Sequence, residues 1–461
     1  MRDYQQFCDT KHASHTASGF EVGALLDSPC FLFQRHLVKW ALSLGRAAIF
    51  ADTGLGKTIT QLEWARQVHA HTGGRILILA PLAVVRQTER EAARFGIDGV
   101  GALTHDTPIQ VWNYDRLHQL DPDSYAGVVL DESSILKNAN GRMRNRLVAS
   151  FRFTPFKLAC TATPSPNDHT ELGNHAEWLG VMDEAVMRAR WFINDLSETV
   201  APWRLKAHAV ADFWRWVTSW ARCVGKPSHM GPYQDGGYDL PPLDIRQHLV
   251  AVDLVKDRGD GQLFRQPEMS ATSIHAERRR TVGDRSRFAK ELVSRSPDEP
   301  WIVWVETNYD QDAIEAMIPG AISVRGSDTP ERKARELLRF SDEGGVIITK
   351  PKIAGMGLNW QHCAHQVFMG GSFSYEGFYQ AVRRSWRFGQ TRPVVAHVVM
   401  AATEQAIWRT IHRKAKQHEE MKKRMYAASA AASARESQHI AYSAGHIARV
   451  PAWLHTLRSA S

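Results

Sequence analysis

The sequence predicts an α/β protein made of two tandem parallel-sheet lobes with a helical insertion between them. Three observations carry this prediction. Short apolar runs alternate with helical patterns in two separate stretches of the chain. One of those runs leads directly into a glycine-rich loop and then a helix. The composition is that of an ordinary globular protein: 461 residues, 43% apolar and 23% charged, enough for about three domain-sized units. The expected divisions are 1–187 for the first lobe, 188–284 for a Trp-rich helical insertion and linker, 285–425 for the second lobe and 426–461 for a C-terminal extension.

In the first lobe the candidate strands are Ala47–Phe50, Ile76–Ala80, Gly127–Leu130 and Leu158–Ala162, with a helical pattern over Thr58–Ala70. Buried strands separated by helices imply a parallel sheet covered on both faces. In the second lobe they are Trp301–Val305, Ala321–Val324, Val346–Thr349, Gln366–Met369 and Val394–Val399, interleaved with helices over Pro330–Phe340, Tyr375–Trp386 and Thr403–His418. Between the lobes, Phe213, Trp216 and Trp220 share one face of a helix. That face either packs on a neighbouring lobe or forms a stacking surface for nucleic acid. His229–Pro242 reads as a connector, and Asp244–Leu254 as an extended segment entering the second lobe. Ala427–Ala434 is either a continued helix or a linker.

The net charge of +8 favours an anionic partner such as nucleic acid or nucleotide. Five scattered cysteines with no CxxC argue against a disulfide framework and a structural zinc site. No apolar leader and no membrane-length apolar run are present, so the expectation is a cytoplasmic, monomeric protein without membrane contact.

The most specific local signal is Ala51-Asp52-Thr53-Gly54-Leu55-Gly56-Lys57-Thr58. It sits between a strand and a helix, the context of a phosphate-binding loop. Glycines let backbone N–H groups converge on phosphate oxygens, and the helix N-terminus adds partial positive charge. Lys57 is expected to reach the β and γ phosphates, and the Thr58 hydroxyl to ligate Mg²⁺. Downstream, Val128-Val129-Leu130 ends in Asp131-Glu132. Asp131 is assigned to the metal, and Glu132 to the general base that orients the attacking water.

The ordered set of motifs resembles the superfamily 2 helicases and translocases, and within them the Swi/Snf-like ATPases. Phe33-Gln34 with Trp40 is similar to the adenine-recognition segment, in which the glutamine reads the base. Asp52–Thr58 resembles motif I, and Leu79-Ala80-Pro81-Leu82 with Gln87 and Glu91 resembles motif Ia. Asn113-Tyr114-Asp115 stands where the next motif falls. Asp131-Glu132-Ser133-Ser134 with Lys137-Asn138 resembles motif II, although the family's usual Ala-His is Ser133-Ser134 here. In the family that histidine links hydrolysis to motifs III and VI. Thr161-Ala162-Thr163-Pro164 resembles motif III, with Asn167 in its extension. Gly355-Met356-Gly357-Leu358-Asn359 resembles motif V. Gln380-Ala381-Val382-Arg383-Arg384-Ser385-Trp386-Arg387-Phe388-Gly389-Gln390 resembles motif VI, and Thr403–Ile407 with Lys414 resembles the helix beyond it.

The resemblance implies two RecA-like lobes of the P-loop NTPase class, with ATP and Mg²⁺ between them. It assigns the nucleotide to Gln34, Asp52, Thr53, Gly54, Leu55, Gly56, Lys57, Thr58, Gly357, Arg384 and Arg387. Arg384 and Arg387 take the arginine-finger roles, while Arg383 stands where Gly or Asp is commoner and receives no role. The nucleic-acid contacts it implies are Pro81, Asn113, Thr163, Gly355 and Asn359, with Arg204-Leu205-Lys206 and Lys414–Arg424 as further basic candidates. The implied activity is ATP-dependent helicase action or translocation on double-stranded DNA. The alternatives are an RNA helicase and a non-catalytic nucleic-acid binder derived from such a motor. The compact chain points to a bacterial or viral source.

Overall fold

The computed structural model describes residues 15–102, 106–165, 168–194, 203–251, 271–354, 358–371 and 374–447. The first sheet holds β1 (Arg46–Ala51), β2 (Arg75–Ala80), β3 (Val100–Ala102), β4 (Ile109–Asn113), β5 (Tyr125–Asp131) and β6 (Phe156–Cys160). A short antiparallel pair, β7 (Phe192–Asn194) and β8 (Trp203–Leu205), stands apart from it. The sheet is completed by β9 (Ala221–Val224), giving the order β3-β4-β2-β5-β6-β1-β9 with every pair parallel. Its strands alternate sides as a pleated strand must. Phe50, Leu77, Leu79, Val128 and Leu130 enter one core. Ile49, Ile76, Ile78, Val129 and Leu158 enter the core on the other face.

The second sheet comprises β10 (Leu243–Val250), β11 (Trp301–Trp304), β12 (Ile322–Ser323), β13 (Val346–Thr349), β14 (His365–Met369) and β15 (Val394–Ala401). Its order is β10-β15-β14-β11-β13-β12, again wholly parallel. Two parallel sheets with intervening helices are consistent with tandem RecA-like lobes.

Described segments within 188–284 join both sheets. Ala221–Val224 lies beside β1, and Leu243–Val250 lies beside β15. The helix Val210–Thr218 is held against the first lobe, where Phe213, Trp216 and Trp220 are fully buried. Their face is therefore packing surface and is unavailable for stacking bases.

Two local expectations shift, and one pair of alternatives is resolved. The strand predicted over Leu158–Ala162 is Phe156–Cys160; Thr161 follows it, with its N–H still on Ile49 O and its hydroxyl on Glu132. The helix predicted over Tyr375–Trp386 ends at Val382. Beyond it the chain tightens into turns, with Arg384 N bonding Ala381 O and Ser385 N bonding Val382 O. Ala427–Ala434 continues a helix that runs over Gln405–Ile447.

Candidate functional site

In a parallel sheet all strands end on the same side, so loops distant in sequence meet along one edge. Here that edge carries Asp52 after β1, Pro81 after β2, Asn113 closing β4, Asp131 closing β5 and Thr161 after β6. The glycine-rich loop turns through Gly54 (φ +90°) and Gly56 (φ +74°), both left-handed, which glycine adopts at little cost. Lys57 opens the following helix, Lys57–Thr72, and its Nζ donates to Ala51 O at 3.0 Å. One turn on, Gln61 Nε2 donates to Asp131 Oδ1 at 2.7 Å. Sequence reasoning missed Gln61, yet it lies four positions after Lys57 and so on the same helix face.

Burial, followed by the neighbouring charge of Glu132, pushes the Asp131 carboxyl up to about 6. Glu132 sits at φ 54°, the one positive φ of a non-glycine among the described residues, and accepts from Thr161 Oγ1 at 3.3 Å. A carboxylate held in this sparsely populated region carries stored backbone strain. Ser133 reaches His175 Nε2 at 3.1 Å. That buried imidazole comes from the helix Glu171–Leu179, and burial brings it down to about 4, leaving it neutral.

Gln34 is also fixed. Its Oε1 accepts from Phe31 N at 2.8 Å and its Nε2 donates to Leu55 O at 2.9 Å. One amide hydrogen and one lone pair remain for another partner.

The second lobe meets this edge directly. Arg383 Nη2 lies 2.9 Å from Asp52 Oδ2, and Lys422 Nζ lies 3.0 Å from the same oxygen. Tyr379 OH donates to Asp52 Oδ1, and Thr53 N donates to it at 2.8 Å. Burial alone would raise the Asp52 carboxyl, but Arg383 and Lys422 outweigh it and hold the group well below the usual range. A Cβ placed on Gly54 would come within 2.9 Å of both Cβ and N of Phe388. Lys137 pairs with Glu376 across the lobes. Arg384 and Arg387 both donate to Leu358 O, at 3.2 and 3.1 Å. Burial, then the adjacent charge of Arg387, brings Arg384 down to about 9, while Glu132 acts in the opposite direction. Thr53 Oγ1 and Arg387 Nε are buried without a hydrogen-bond partner. The unpartnered Thr53 hydroxyl lies within the glycine loop itself, where a polyanionic ligand could take it up.

The remaining expected residues divide. Asn113 is buried and caps a short 3₁₀ turn by accepting from Arg116 N; Thr163 is buried too. Asn359 is exposed and donates to Gln361 Oε1 at 3.3 Å. Within the basic segment Lys414–Arg424, Lys422 is buried against Asp52 rather than solvated. Gly355, Gly357 and Asn167 lie outside the described residues. Among the described residues no group of three or more His, Cys, Asp or Glu is arranged to hold a metal ion, and no helix is long and apolar enough to cross a membrane.

No family model matches the chain. The bifunctional helicase and thymine dioxygenase JBP2 of Leishmania braziliensis is 31% identical over 131 residues, which is 27% of this chain and 12% of that protein. The protein of the same name from Leishmania infantum is 31% identical over 84 residues, 18% of this chain and 8% of its own length. The chain therefore spans only a small part of the curated relatives it matches. Among solved structures, the Sulfolobus solfataricus SWI2/SNF2 ATPase core in complex with dsDNA aligns over 91% of this chain and 98% of that one, at 14% identity and a TM-score of 0.41.

Proposed function

We propose that the chain is a nucleic-acid-stimulated ATPase that couples hydrolysis to movement on double-stranded DNA. The observation that carries the reading is the meeting of the two lobes at the glycine loop, with Arg383 on Asp52 and Phe388 against Gly54. A phosphate chain bound there has Lys57 and the loop amides on one side and the arginine-bearing turn on the other. Closure then completes the site, because the charge of the transferring phosphoryl group is met from both lobes at once.

In this reading Lys57 leaves its loop carbonyls for the β and γ phosphates. Arg384 and Arg387 neutralise the charge that develops on the γ-phosphoryl oxygens, a task suited to a planar guanidinium fork. Glu132, steadied by Thr161, orients the attacking water and accepts its proton. Gln61 aims the Asp131 carboxylate. Mg²⁺ entering with the nucleotide would be held by Thr58 and Asp131 and would shield phosphate charge; one or two protein oxygens suffice for Mg²⁺ when phosphates supply the rest. Once the γ phosphate departs, the arginines lose their shared ligand and the lobes are released, a phosphate-governed switch. DNA lying across both lobes is then advanced, gripped chiefly by its backbone and with strong salt dependence. The Leishmania relatives carry helicase in their name, which supports this reading.

The test is ATP turnover with duplex DNA, single-stranded DNA and single-stranded RNA at fixed salt. Duplex DNA should stimulate most. Preferential stimulation by RNA would make the chain an RNA helicase, and absence of turnover with every polymer would leave only a nucleic-acid binder.

A further inference from the structure

The C-terminal helix Gln405–Ile447 belongs to both lobes. Trp408 is buried in the core of the second lobe. Further along, Met421 and Met425 enter the core of the first lobe, and Ser429 Oγ accepts from Cys223 N on β9 at 2.9 Å. At the crossover Tyr375 OH and His418 Nδ1 are 3.0 Å apart. Beside Met421, Lys422 is buried, with Nζ 3.0 Å from Asp52 Oδ2 and 2.9 Å from Tyr379 OH. Its Nζ also lies 5.6 Å from the ring centroid of Tyr426.

Asp52 is an awkward residue for a phosphate loop, because a bare carboxylate there repels the phosphates the loop attracts. Two cations offset it, and they ride on different bodies. Arg383 belongs to the second lobe and moves with it. Lys422 sits on the part of the helix anchored to the first lobe.

We propose that Lys422 is a positioning residue for the nucleotide, acting as the resident counter-ion of Asp52 when lobe opening withdraws Arg383. The inference rests on the reading of Gly54–Thr58 as an ATP site. Lys422 keeps the Asp52 carboxylate turned away from the phosphates, so the open form accepts ATP without electrostatic penalty. Its contribution falls on nucleotide affinity and not on the chemical step.

The experiment is steady-state ATP turnover by the full chain bearing Lys422→Met, Lys422→Arg, or Lys422→Met combined with Asp52→Asn. Lys422→Gln serves as the second neutral variant should Met disturb folding, which circular dichroism reports. Loss of the charge should raise KM for ATP about tenfold and leave kcat within about twofold. Lys422→Arg should restore KM. In the Asp52→Asn background the neutral substitution should cost little, since the charge it balances is gone. An unchanged KM overturns the inference. So does an equal cost with and without Asp52, or a fall in kcat that tracks loss of folded protein, because either assigns Lys422 to packing alone. Lys57→Ala, run in parallel, separates the two levels. If the unaltered chain shows no Lys57-dependent ATP binding, the functional reading fails, and the inference fails with it. If Lys57 matters and Lys422 does not, only the inference fails.

Discussion

Arg383→Met isolates the contact on which the closed arrangement rests. The guanidinium lies 2.9 Å from Asp52 Oδ2, 4.3 Å from the Trp386 ring centroid and 5.2 Å from that of Tyr379. Methionine retains much of the stem and its packing while removing the charge. A hydrogen bond to an ionised group contributes about 1.5–3 kcal/mol. Full orphaning of a buried charge costs more, about 3–5 kcal/mol. That upper figure does not apply here, because Lys422, Tyr379 and Thr53 N continue to hold the carboxylate. The loss is further trimmed because Arg383 Nε is itself buried without a partner. At about 1.4 kcal/mol per tenfold change, separation of the lobes at this point should become roughly ten- to hundredfold more frequent. Amide hydrogen exchange under native conditions reads this directly. Protection should fall in residues 52–56 and 383–389 and stay unchanged in β2, β5, β11 and β14. Unaltered exchange at both segments, or an equal rise throughout both sheets, would refute the reasoning.

Two more predictions concern the first lobe. Trp216→Ala should cost about 3–5 kcal/mol of stability, as for other buried tryptophans, seen as a lower urea midpoint. The folded fraction should bind DNA with unchanged affinity at fixed salt, whereas a stacking role would weaken binding. Lys157 is buried with its Nζ on Trp178 O at 2.8 Å, and burial, aided by Arg46, brings it down to about 7. Below that pH both folded and unfolded chains carry the proton. Above it the folded chain sheds the proton while the unfolded chain keeps it up to the ordinary lysine range, so this group adds stability as pH rises. Relative to Lys157→Met, the unaltered protein should therefore gain in urea midpoint between pH 7 and pH 9.5; a constant difference would reject the shift.

The strands were legible where buried apolar runs were long enough to stand out, as in Ile76–Ala80 and Val128-Val129-Leu130. They were obscure at sheet edges. Ala221–Val224 is only four residues long, and Leu243–Val250, read only as an extended segment, is half polar and exposed on both faces over residues 244–247. The glycine-rich loop and the acidic strand end stood out locally because each is a run of adjacent residues. Arg383 and Lys422 could not, since their partner Asp52 is 331 and 370 positions away and only the fold joins them. The left-handed Glu132 and the approach of His175 to Ser133 are likewise products of tertiary packing. Helix propensity over Tyr375–Trp386 gave no sign that the chain would turn after Val382, where Arg383 pairs with Asp52 while Arg384 and Arg387 donate to the carbonyl of Leu358.

The central claim is that one ATP is held by the glycine loop and finished by arginines of the other lobe. Arg387→Ala tests it most directly when ATP affinity and DNA-stimulated turnover are measured on the same preparation. The account predicts affinity within about threefold of the unaltered chain and turnover lowered by roughly 10³-fold or more, the scale of an arginine finger. Undiminished turnover with unaltered affinity would contradict it.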